Sequence, residues 1–267
     1  MKPTPAVIAA ASALLCSCAS ASAADPASLM TAKTFTSSEG LALPYRIYVP
    51  AASDATGKVP AVLFLHGAGE RGTNNVAQLL HCIPQLMRYV VEGGHPAVVV
   101  VPQCPTGMQW VDAPWGALSH VMSEKPSKPM QAVIEMFETE IAAAPVDRSR
   151  LYVSGISMGG YGTWDVLQRF PEKFAAGMPI CGGGDTNLAA RLVNIPIHVV
   201  HGEKDSAVPV TRSRSMVEAI KTAGGRKITY LERAGEGHGV WTPTYNDVAN
   251  LDWLFSHALR GCNGQDK

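Results

Sequence analysis

Short apolar segments alternating with helical stretches predict a doubly wound α/β fold, a mostly parallel sheet with helices on both faces. Three observations carry that prediction. Residues 59–65 and 97–101 are near-continuous apolar runs, as strands buried on both faces require. Helical stretches separate most of the candidate strands. Gly155-Ile156-Ser157-Met158-Gly159 follows directly on the run Arg150-Leu151-Tyr152-Val153-Ser154, which reads as a tight strand–turn–helix.

In chain order, residues 34–36 and 43–49 flank Ser38-Glu39-Gly40 and predict an opening β-hairpin. Parallel strands are then expected at 59–65, 97–101, 150–154, 176–181, 195–200 and 227–231. Helices are expected at about 75–91, 130–143, 158–170, 211–223 and 246–259. Each segment with chemistry-bearing residues falls just after a strand, where sheets of this kind bind ligands. Only residues 182–194 separate two of the later strands, too few for a large lid, so an open cleft is expected. Residues 102–129 form a long loop with Trp110 and Trp115; loops of that length tend to be functional, and this one is expected to wall one side of the cleft.

The 267 residues suffice for one α/β domain, and residues 24–267 are read as such. Lys+Arg and Asp+Glu balance at 22 each, with no basic block, which argues against a nucleic-acid partner. The N-terminus reads as a signal peptide over residues 1–23: Lys2, an apolar stretch from Ala6 to Leu15, and an A-x-A site at Ala21-Ser22-Ala23. A secreted or periplasmic location is expected. Leu15-Cys16-Ser17-Cys18 also resembles a lipobox, which would anchor the protein through a lipid on Cys18. No run approaches ~18 apolar residues, so no transmembrane helix is expected. Export permits disulfides among Cys82, Cys104, Cys181 and Cys262, in three alternative full pairings, while buried free thiols are the competing reading. No cysteine or histidine cluster has metal-ligand spacing, so no structural zinc is expected. The sequence leaves the subunit number open.

The chemistry lies in an ordered set of three residues. Ser157 sits where a strained turn holds a hydroxyl out above a sheet. A serine hydroxyl is a weak nucleophile and needs a base. His238, in Gly235-Glu236-Gly237-His238-Gly239, is the candidate base, and Asp205, in His201-Gly202-Glu203-Lys204-Asp205, is the candidate orienting acid. Ser157 as a plain helix N-cap is the competing reading. Asp185 also follows a strand and rivals Asp205. For an oxyanion, the Met158 amide and the Ala68 amide in His66-Gly67-Ala68-Gly69-Glu70-Arg71-Gly72 are the expected donors, with Gly69 the alternative. That glycine-rich segment lacks GxxxxGK[ST], which excludes a phosphate loop. His66 and His201 are read as hydrogen-bonded scaffold residues. Gly69, Trp110 and Trp241 are candidate substrate contacts, with core wedges the alternative for the tryptophans.

The order Ser, Asp, His is that of the α/β-hydrolases, and the wider motifs agree. Leu65-His66-Gly67-Ala68-Gly69-Glu70-Arg71-Gly72, Pro102-Gln103-Cys104-Pro105, Gly155 to Trp164 and Pro179 to Asp185 resemble the bacterial secreted esterases of the predicted-peptidase, prolyl-oligopeptidase-like group. That group is similar to feruloyl esterases, polyhydroxybutyrate depolymerases and dienelactone hydrolases. The resemblance implies the α/β-hydrolase fold and a serine carboxylic-ester hydrolase acting through an acyl-enzyme without a cofactor. An open cleft and export point to an accessible or polymer-attached ester, such as feruloyl or acetyl groups on plant polysaccharide. A small serine peptidase and a non-catalytic carbohydrate-binding protein are the alternatives. Dienelactone hydrolases usually carry Cys at the nucleophile; Ser157 departs from that.

Overall fold

The computed structural model describes residues 26–51 and 57–259. The predicted signal peptide, the lipobox cysteine Cys18 and Cys262 lie outside the described residues. Eight strands form one sheet: β1 (Thr31–Thr36), β2 (Ala42–Tyr48), β3 (Val59–Leu65), β4 (Val98–Pro102), β5 (Val146–Ile156), β6 (Ala176–Ile180), β7 (Ile197–Gly202) and β8 (Ile228–Arg233). Their order is β1-β2-β4-β3-β5-β6-β7-β8. The hairpin β1–β2 is antiparallel, and β2 joins β4 antiparallel; the pairs from β4 through β3 to β8 are parallel. This is the α/β-hydrolase fold.

The apolar runs form central strands because both faces of the sheet are covered. In β3, Val59, Ala61, Leu63 and Leu65 join one core, while Val62 and Phe64 join the other. That split is the two-residue alternation of a strand. The first core packs side chains of α2 (Lys128–Ala143), α3 (Met158–Arg169) and α4 (Thr211–Thr222) on one face. The second packs α1 (Ile83–Val91) and the C-terminal helices α5 (Trp241–Asn246) and α6 (Val248–Phe255) on the other.

Local capping sets several boundaries. Ser127 Oγ accepts the Met130 amide at 3.2 Å and starts α2. The helix expected over 75–91 begins only at Ile83. Asn75 and Cys82 have φ of +54° and +66°, which ends helical propagation at both places. Asn75 is held there by tertiary bonds, its side-chain amide donating to the carbonyls of Lys33 and Tyr45. The helix expected over 246–259 is shorter, α6 over Val248–Phe255, and a separate helix, α5, precedes it. Asp247 is extended and accepts the Ala249 amide, so it caps a fresh start at α6.

Cys82, Cys104 and Cys181 are buried free thiols. They fit the competing reading of the cysteines, as small core side chains. Among the described residues, no helix is long and apolar enough to cross a membrane.

Candidate active site

The C-terminal ends of β3, β5, β7 and β8 each deliver one loop to the same place. Ser157 follows β5 directly and has φ +53° and ψ −116°. Such a conformation in a non-glycine residue costs on the order of 1–3 kcal/mol. The surrounding structure enforces it. The Ser157 amide donates to Ile180 O at 2.9 Å, and the Tyr161 amide donates to Ser157 O at 3.1 Å. Gly159 allows α3 to press on β3: a Cβ there would stand 1.8 Å from Leu65 O. Ser157 occupies the N-cap position of α3, yet its side chain caps nothing.

Its hydroxyl meets an imidazole instead. Ser157 Oγ lies 2.8 Å from His238 Nε2, and His238 Nδ1 lies 2.7 Å from Asp205 Oδ2. A carboxylate only accepts, so His238 Nδ1 carries the proton and donates. Nε2 is then left as the acceptor for the serine hydroxyl. The loops bearing Asp205 and His238 touch through their backbones, the Lys204 amide donating to Glu236 O at 2.8 Å. Gly202 makes that approach fit, since a Cβ would come to 2.0 Å from Gly237 O.

Asp205 has a fully buried side chain. Its Oδ1 accepts the amides of Ala207 and Val208, each at 2.9 Å. Its Oδ2 also lies 3.1 Å from His201 Nε2. Burial pushes its pKa up, but the bonds from His201, His238 and Val208 outweigh it and hold the carboxyl well below the usual range. The group is a carboxylate at any working pH. Sequence reasoning read His201 as scaffold and missed this second contact to Asp205; the four-residue spacing to Asp205 was the available signal.

Asp185 is turned elsewhere. It accepts the Met122 amide at 2.9 Å and the Asn187 amide at 3.0 Å, pinning the 122 loop and capping a 3-10 turn. His66 is buried, donates from Nδ1 to Gly67 O at 2.6 Å and accepts the Cys104 amide on Nε2 at 2.9 Å. Burial lowers its pKa to about 4, with a smaller lowering from Arg71 and an opposing bond to Gly67. Both ring nitrogens are occupied, so no second base stands there.

Met158 is the first residue of α3 and Ala68 the first of a short 3-10 turn (Ala68–Glu70) after β3. First-turn amides have no intrahelical acceptor. Gly67 stands beside the serine: the position of a Cβ on it would be 3.6 Å from Ser157 Cβ. Gly69 is exposed, with open space where a Cβ would project.

The tryptophans differ. Trp241 is partly exposed, and its ring meets His238 edge-on, centroids 5.1 Å apart. Trp110 is fully buried, with Nε1 donating to His66 O at 3.0 Å. It has no face for a substrate to stack on; its ring wedges the loop against β3, so the substrate contact expected at Trp110 gives way to the core-wedge alternative. Trp115 keeps a partly exposed ring under the Arg71 guanidinium, 5.5 Å away.

Cys181, Asp205 and His238 present ligand atoms within 4.8 Å of one another. The Asp205 and His238 atoms already bond to each other. Burial pushes the Cys181 thiol far above its ordinary pKa, which disfavours the thiolate a metal would need.

A family model described as Phospholipase/Carboxylesterase matches residues 51–251. A solved thermostable esterase is 37% identical, with a TM-score of 0.78 over 87% of this chain and 64% of its own. A ferulic acid esterase has a TM-score of 0.62 over 85% of this chain and 96% of its own; at 19% identity that likeness concerns the fold alone. A bifunctional acetylxylan esterase/xylanase of Neocallimastix patriciarum is 26% identical over 162 residues, 61% of this chain and 22% of that protein. The esterase LipC of Mycobacterium tuberculosis is 41% identical over 44 residues, 16% of this chain and 11% of that protein. The chain thus spans less than a quarter of the length of either curated relative. The matched stretch runs from before β3 into α6, and the chain belongs to the phospholipase/carboxylesterase family of the α/β-hydrolases.

Proposed function

We propose that this protein is a serine carboxylic-ester hydrolase that works through an acyl-enzyme with Ser157, His238 and Asp205 as its triad. The observation that carries this reading is the pair of bonds at 2.8 and 2.7 Å linking Ser157 Oγ to His238 and His238 to Asp205. Ser157 Oγ attacks the ester carbonyl while His238 Nε2 takes its proton. Asp205 stabilises the imidazolium that forms. The amides of Ala68 and Met158 receive the developing oxyanion; one such donor is worth ~10²–10³ in turnover. The C–O bond breaks as His238 returns the proton to the departing alcohol. Water then attacks the acyl-serine by the same route and releases the acid.

Feruloyl or acetyl esters of plant polysaccharide are the proposed substrates. The acetylxylan esterase likeness supports this choice, as does a site without a large insertion between β6 and β7. Trp241 is the proposed substrate contact, and Gly69 keeps the entrance clear. Residues 1–23 support export, with lipid attachment at Cys18 the alternative to a soluble form. Hydrolysis of acetyl, butyryl and feruloyl esters, with peptide amides beside them, tests the reaction. A wild type that releases no acid from any ester, or a Ser157→Ala variant with full activity, would overturn the reading.

A further inference from the structure

Two carboxylate–imidazole pairs flank Trp241. One is Asp205–His238. The other is Glu70–His81, in which Glu70 Oε1 lies 3.5 Å from His81 Nε2. The Trp241 ring centroid stands 5.1 Å from that of His238 and 5.7 Å from that of His81. Glu70 closes the arc from the other side. Its Oε2 and Ser157 Cβ lie 3.0 and 3.6 Å from one point, the position of a Cβ on Gly67. Glu70 is a carboxylate 6% exposed beside the nucleophile, yet the triad chemistry does not use it.

We infer that Glu70, His81 and Trp241 form a subsite for a neutral, hydroxylated ring, a glycosyl group carrying the ester. This deepens the esterase reading and rests on it. The Glu70 carboxylate faces Nε2 of His81 at 3.5 Å and favours the tautomer with the N–H on that side. Nδ1 then presents a lone pair that accepts from a hydroxyl. The side chain of His81 is one-third exposed, so a ligand reaches it. Trp241 offers an apolar ring surface to the C–H face of a pyranose, with a polar acceptor next to it. An anionic ring is disfavoured, because it would approach the Glu70 carboxylate. A purely apolar alcohol would displace water from the His81 acceptor without replacing its hydrogen bond.

The test compares a mono-acetylated methyl xyloside with cyclohexyl acetate, which has the ring but no hydroxyl. The wild type is expected to favour the xyloside ester by tenfold or more in kcat/KM. His81→Phe and Glu70→Gln should each lower that ratio about tenfold. Titration of the Ser157→Ala variant with methyl xyloside gives a readout independent of turnover, and His81→Phe in that background should weaken binding by a similar factor. A wild type that cleaves cyclohexyl acetate but shows no preference overturns the subsite and leaves the esterase reading standing. Equal loss on both esters in both variants would also overturn it, since that marks a scaffold role. Failure to cleave either ester, or any simple aryl ester, sinks the esterase reading itself.

Discussion

His201 Nε2 lies 3.1 Å from Asp205 Oδ2, the same oxygen that accepts from His238 at 2.7 Å. The nitrogen also lies 3.0 Å from Val208 O, and His201 Nδ1 lies 2.8 Å from Ser213 Oγ. His201 is fully buried and fixed at both nitrogens. It thus locks the carboxylate from behind while His238 takes it from the front. A hydrogen bond to a charged group is worth ~1.5–3 kcal/mol. His201→Ala should therefore lower kcat by about 10- to 100-fold, with KM little changed, because the Asp205 carboxylate loses its lateral support. Steady-state kinetics on a simple aryl ester reads this, and an unaltered kcat would show that the amides of Ala207 and Val208 suffice.

The two rival acids separate in the same assay. Asp205→Asn would present the wrong hydrogen-bonding partner to His238 Nδ1, and a fall of roughly 10⁴ in kcat is expected. Asp185→Asn should act on stability instead, since Asp185 accepts the Met122 and Asn187 amides. A large, selective kcat loss in the Asp185 variant would exchange the two assignments.

The backbone at Ser157 inverts the usual ranking of glycine and alanine. In ordinary positions alanine is the more stabilising because glycine loses more chain entropy. At φ +53° a Cβ is strained, at on the order of 1 kcal/mol or more. Ser157→Gly should thus melt at a higher temperature than Ser157→Ala, while both lack activity. Thermal unfolding of the two variants decides it; alanine melting at the higher temperature would mean the turn is relaxed.

His66 gives a pH dependence of known sign. Its folded pKa of about 4 lies below the ordinary histidine value of 6.5, so the unfolded chain binds more protons between those values. Stability from this group is complete above about 6.5 and is lost as pH falls toward about 4, on the order of 3 kcal/mol in all. His66→Gln keeps a side-chain acceptor for the Cys104 amide and removes the titration. Its denaturation midpoint should fall less steeply over that window than that of the wild type. Identical slopes would place the acid sensitivity elsewhere, for example at His120, which burial also lowers to about 4.

Much of this molecule was legible in its residues. Apolar runs in β3 and β4 announced a sheet buried on both faces, and the motif around Ser157 announced its sharp turn. Ser157, Asp205 and His238 could be grouped because each lies in the segment that follows a strand, and the strand ends of a parallel sheet share one edge. These features are local, set by side-chain pattern and backbone preference over a few residues. What only the tertiary structure decided depends on contacts between distant segments. Asn75 leaves a helical pattern because carbonyls from β1 and β2 claim its side chain. Trp110 turned from cleft wall to core because the 102–129 loop folds back onto His66. The sequence preferred Asp205 over its rival Asp185, and only the structure shows Asp205 within 2.7 Å of His238 while Asp185 is turned to the amides of Met122 and Asn187. Glu70 and His81, eleven residues apart in the segment before α1, come beside Trp241 only because α5 packs against that segment.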